Sequence, residues 1–180
     1  MDGKAGGCMG EKPAPGPDGV KRNEIARRDP LLAKFANEVE PIVRAGMEEA
    51  RKVQDPKERV GQMCLAAAAY SEVDGDSLPI LREAYEVADK LENPFDSVML
   101  LLEIAYYSWI TEQDPLPVMA RALEKVEREA DGLRKTEALG EIAFSYAKIS
   151  ERARAEIILE KINDEGFKEA IRMAICELVA

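Results

Sequence analysis

The chain carries 35 carboxylates and no histidine, a combination that removes most of the chemistry a small domain could perform. Ser-His and Cys-His nucleophile pairs, imidazole metal sites, the helical Glu-x-x-His di-iron arrangement and histidine as a general base all need the missing ring. Neither a G-x-x-x-x-G-K-[ST] loop nor a G-x-G-x-x-G turn occurs, so no phosphate cradle is encoded. Asp74-Gly75-Asp76 has the opening of a calcium loop but no run to a bidentate glutamate, and it reads as a turn. Carboxylate acid-base chemistry carries no specific signal when acids are this abundant. The sequence therefore assigns no catalytic, metal-binding or cofactor-binding residue, and leans away from an enzyme.

One stretch does concentrate side chains that bind. Val98 to Ile110 is apolar around nearly its whole circumference, with Glu103, Tyr106, Tyr107 and Trp109 set into it. At about 100° per residue, Met99, Leu100, Glu103, Tyr106, Tyr107 and Ile110 share a side away from the Leu101, Leu102 and Ala105 stripe. Further on, Glu141 and Phe144 take the places of Glu103 and Tyr106. A helix apolar all round is the most buried element of its fold, or else it offers a second face to a partner. The candidate partner-binding residues are Met99, Glu103, Tyr106, Tyr107, Ile110, Glu141 and Phe144. An alternative of another class is a small-ligand or catalytic pocket anchored by Glu103, Tyr106 and Tyr107.

The elements that must position these residues follow a 38-residue step. Laying residues 39–76, 77–114 and 115–152 over one another aligns Pro41 with Pro79 and Pro117, and Glu48 with Glu86 and Glu124. Lys52 falls on Lys90 and Arg128, Asp55-Pro56 on Asn93-Pro94 and Asp131-Gly132, and Ala67 on Ala105 and Ala143. Self-similarity at this spacing marks units that cannot bury their apolar faces alone and must stack on their neighbours. Each unit reads as a helical hairpin. Its first helix opens near Pro41, Pro79 or Pro117, where a first-turn proline costs little. Its second runs near 57–73, 95–111 or 133–149. The expected fold is an all-α, right-handed solenoid of antiparallel hairpins. A capping helix over 30–39 precedes it, opened by Asp29-Pro30, and a degenerate terminal repeat over 153–180 closes it. Residues 1–28, rich in glycine and proline with little to bury, are expected to form a disordered tail.

Proline in the opening turn, Asp-Pro between helices, and Val60 and Ala67 in the second helix resemble the layout of HEAT-type repeats, with Gly61, Met99 and Glu137 standing where that family carries an arginine. The resemblance covers about residues 39–152. It implies a curved scaffold for protein binding. Ala143, Tyr146 and Ala155 also resemble the small and aromatic positions of tetratricopeptide repeats, so the choice between the two helical-hairpin families stays open.

Charge and cysteine usage narrow the setting. The net charge is −10, and it is uneven: residues 1–30 hold six Lys/Arg against five Asp/Glu, leaving 19 against 30 in residues 31–180. An acidic body repels a phosphate backbone, which argues against nucleic acid as a partner. Val98 to Ile110 is too short for a transmembrane span and contains Glu103, and the opening Met1-Asp2-Gly3-Lys4 lacks the apolar core of a secretory signal. Three cysteines without close spacing fit a reducing compartment: Cys64 and Cys176 read as core hydrophobes, and Cys8 as an exposed thiol. The chain is thus expected to be cytoplasmic, with a protein or peptide partner, a second copy of itself included. Abundant Lys, Glu and Arg beside few Asn and Gln is the bias of heat-adapted proteins.

Overall fold

The computed structural model describes residues 30–73, 75–128 and 132–178. Among them the fold is all-α, eight helices with no strand: α1 (Pro30–Lys52), α2 (Pro56–Ser71), α3 (Leu78–Asp89), α4 (Pro94–Ile110), α5 (Leu116–Glu127), α6 (Leu133–Lys148), α7 (Arg152–Leu159) and α8 (Glu165–Glu177). None of these helices is long and apolar enough to cross a membrane. The expected tail over 1–28, with Cys8, lies outside the described residues.

Short polar signals set the helix ends. Asp55 accepts a hydrogen bond from the Lys57 amide at 2.8 Å, and Asn93 accepts from Phe95 at 3.1 Å, each just before a proline that opens the helix. These side chains satisfy amides that have no intrahelical partner. Asp76 and Asp114 do the same for Leu78 and Leu116 at the starts of α3 and α5. The second helices end alike. The amides of Gly75, Gln113 and Glu151 donate back to the carbonyls of Tyr70, Ser108 and Tyr146 at 2.8–2.9 Å, which closes the last turn in the manner of a Schellman motif. In α4 and α6 that turn needs a left-handed residue, and Glu112 (φ 60°) and Ser150 (φ 67°) supply it without glycine.

One expectation is corrected at the start. The capping helix over 30–39 and the helix expected to open at Pro41 are a single element, α1, with Pro41 inside it. Proline has no amide to give to the Asn37 carbonyl four residues back. Residues 37, 38 and 40–42 are exposed, so water reaches that turn. Pro79 and Pro117, by contrast, do sit in the first turns of α3 and α5.

Consecutive helices from α1 through α7 pack on one another, and α2, α4, α6 and α8 also contact one another in succession. The core lies between these rows. Val60, Met63, Cys64 and Ala67 of α2 are buried, as are Val98, Leu101, Leu102 and Ala105 of α4. Ala50, Ala84, Ala88 and Ala122 line the other side, all but inaccessible. Alanine at these crossings lets helix axes approach closely while burying apolar area. Small size is equally strict at Gly140 of α6, where an added Cβ would stand 2.8 Å from the Phe167 ring of α8.

Ion pairs tie the first helices together outside this core. Arg51 of α1 grips Glu83 of α3 through two hydrogen bonds of 2.7 Å. Asp89 of α3 holds Arg121 of α5 at 2.8 Å, and Glu127 of α5 pairs with Lys161 beyond α7. The Arg121 guanidinium, with Lys125 beside it, holds the Asp89 carboxyl below the ordinary carboxylate range.

Candidate functional site

Helix α4 positions five of the seven candidate residues, with Glu141 and Phe144 on α6, and its composition explains how. Eight of its seventeen residues are buried, so most of its circumference is spent on neighbours: α3 and α5 flank it, and α2 and α6 lie on either side of its stripe. Leu100, expected on the outward side, is buried. Tyr107 is half-buried and packed against the core, and burial raises its phenol above the usual range, helped by Cys64 and Glu103 nearby. Neither presents itself fully to solvent.

What remains outward is narrower and sharper. Met99, Glu103 and Tyr106, one helical turn apart along α4, face Glu141, Ser145 and Lys148 of α6 across a groove of about 310 Å³. Leu102, Met119 and Ile149 form its floor and sides. The groove is open to solvent, because Tyr106, Glu141 and Lys148 are all exposed. At its end Tyr106 is 42% exposed, Trp109 40% and Ile110 41%. Tyr106 meets Tyr107 edge-on with ring centroids 5.8 Å apart and lies 6.2 Å from Trp109. The other large exposed apolar residues, such as Ile42, Leu65 and Leu133, stand singly on different helices. Isolated apolar residues are ordinary on a protein surface, but three within one turn are a patch.

The electrostatics of the groove centre on Glu103. Its carboxylate faces α2 closely enough that a Cβ on Gly61 would stand 3.7 Å from Oε1. Among the described residues it has no hydrogen-bond or ion-pair partner. Burial alone pushes it above the ordinary glutamate range. The same neighbourhood pushes the Cys64 thiol strongly upward, by burial first and then by the Glu103 charge, so this thiol stays protonated and inert. Glu141 likewise has no partner among the described residues. Lys148 stands 4.8 Å from the centroid of the Phe144 ring, and Phe144 is half-buried against the core.

The structure thus brings Met99, Glu103, Tyr106 and Glu141 to one groove, leaves Ile110 exposed one turn beyond Tyr106, and turns Tyr107 and Phe144 partly inward. Sequence reasoning missed Trp109, Ser145 and Lys148. Trp109 follows Tyr106 by three residues and was findable from that spacing. Lys148 becomes part of the site only because α6 lies beside α4. Among the described residues no three His, Cys, Asp or Glu side chains stand close enough to share a metal ion.

No protein-family model matches this chain, and no curated protein matches it. The fold is similar to the crystal structure of Ton1535 from Thermococcus onnurineus NA1, with a TM-score of 0.60 and 18% identity. The match covers 82% of this chain but 46% of that one, so the chain spans less than half of that protein. At that identity the likeness concerns the fold alone.

Proposed function

We propose that this chain is a non-enzymatic protein-interaction or assembly module, built as a short right-handed α-solenoid of 38-residue hairpins and working in the cytoplasm. The observation that carries the reading is the Tyr106, Trp109 and Ile110 patch running into the α4–α6 groove. Tyrosine and tryptophan bury large area at little conformational cost while keeping a polar atom for hydrogen bonding, and such anchors dominate interface energies. The stacking order of α2, α4, α6 and α8 supports the repeat reading, and so does the recurrence of the same end-of-helix bond at Gly75, Gln113 and Glu151. The small-ligand alternative draws on Glu103 and Tyr106 meeting in one hollow. Its openness to solvent favours a segment of protein over an enclosed small molecule.

Tyr106→Glu tests this. A residue at an interface should tolerate the change with less than about 1 kcal/mol of lost stability, measured by urea denaturation, while affinity capture of the native partner, or self-association, falls sharply. Unchanged capture and self-association in the folded Tyr106→Glu protein would overturn the reading.

A further inference from the structure

We infer that the groove between α4 and α6 receives a cationic amphipathic segment of a partner protein, which sets a lysine or arginine against Glu103 and lays apolar side chains on Met99 and Tyr106. The inference rests on the interaction reading above and supplies the chemistry of the partner. Its foundation is a mismatch in how this fold treats its acids. Glu83, Asp89 and Glu127 each hold an arginine or lysine from outside their own helix. Glu103 lies with Gly61 of α2 behind it and Met99, Tyr106 and Tyr107 on its own helix, yet among the described residues it holds none. A partly desolvated carboxylate without a counter-charge is costly to keep, and the cost is recovered when a cation arrives in good geometry.

The surroundings suit that cation and little else. Glu141 lines the same groove, also without a counter-ion among the described residues. Its one basic residue, Lys148, is engaged with the Phe144 ring. The Tyr106 and Tyr107 rings beside Glu103 add the negative faces that attract ammonium and guanidinium groups. Over the longer range, 30 acids against 19 bases in residues 31–180 steer a basic segment inward and repel an acidic one. The same excess opposes a second copy docking body to body.

The test uses the full chain and a synthetic amphipathic helix of leucine and lysine about four turns long, with matched peptides carrying glutamine or glutamate for lysine. Binding is followed by Trp109 fluorescence and by amide shifts in α4 and α6. The lysine peptide should bind and shift both helices, and the glutamate peptide should not. Glu103→Gln, nearly isosteric and checked for unchanged helicity, should weaken binding about tenfold or more, the scale of losing one well-placed charge pair. Glu141→Gln should weaken it less, and Glu86→Gln on the far row should leave it unchanged. Equal losses from Glu103→Gln and Glu86→Gln would mean diffuse attraction and overturn the inference. Tight binding of the glutamine peptide, abolished by Tyr106→Ala, would leave the interaction reading standing and remove its cationic partner. A concentration-dependent dimer shifting the same residues would assign the groove to a second copy and also overturn it. No groove binding by any peptide overturns it too. If Tyr106→Glu then leaves capture and self-association intact, the interaction reading falls with it.

Discussion

Helices α2 and α4 are built to one plan and finished to different ones. Each opens on a capping side chain and a proline, buries a stripe of four (Val60, Met63, Cys64 and Ala67 in α2; Val98, Leu101, Leu102 and Ala105 in α4), and ends on the same backward hydrogen bond. Their outward sides share almost nothing. Where α4 carries Met99, Glu103 and Tyr106, α2 carries Gly61, Leu65 and Ala68 at the matching places. Packing constrains the stripe most tightly, because each helix must fit the next. The groove side of α4 meets less of that demand, and the interaction proposed above would account for its aromatic and acidic character.

Changes to the shared plan should hurt most. Leu101→Ala, at a position with no solvent exposure, should cost about 2–5 kcal/mol in urea denaturation, through lost transfer energy and the cavity left behind. Met63→Ala, the counterpart in α2, should fall in the same range; a marginal effect there would break the equivalence of the two stripes. The caps come next. Asn93→Ala and Asp55→Ala should each cost about 1 kcal/mol, since each leaves a helix amide without its acceptor.

The smallest effect has the opposite sign. Burial raises the folded-state pKa of Glu103, so the unfolded chain gives up that proton more readily. This group therefore takes stability away as pH climbs past the ordinary glutamate value of about 4.3. Glu103→Gln should raise Tm by a few degrees at pH 7, and the gain over the parent should shrink toward zero near pH 4. A fall in Tm at neutral pH would show that Glu103 belongs to the shared plan after all.

Much of this was legible before any coordinates. Apolar spacing and the Asp-Pro and Asn-Pro boundaries placed α2 and α4 to within two residues, because caps and stripes are local and repeat. Pro41 misled for an equally local reason. Proline marks a first turn when the preceding residues stop, but 30–40 continue as helix and the chain simply passes through it. On α4 the circumference alone could not divide Leu100 and Tyr107, which face inward, from Tyr106 and Ile110, which do not; that division depends on where α2, α5 and α6 lie. Glu103 was identifiable by position, whereas its lack of a counter-ion among the described residues became apparent only with its neighbours in place.

The ion pairs along the first helices carry a consequence for how the chain avoids misassembly. Arg51 and Glu83 occupy the same places, 38 residues earlier, as Asp89 and Arg121, so the sign of the staple is inverted between these two junctions, while Glu127 and Lys161 keep the order of the second. The first junction therefore has a polarity that the second junction's half cannot satisfy. In the stacked arrangement proposed above, removing residues 79–116 rejoins alike interfaces but brings Arg51 against Arg121, a clash in place of a clasp. Such a shortened chain should recover stability when Arg121→Glu restores the opposite charge, by up to about 1 kcal/mol for an exposed pair. In that proposed stack the inversion works as an address written in charge: an α1 that skips α3 and reaches α5, in its own molecule or in another one unit out of step, sets Arg51 against Arg121.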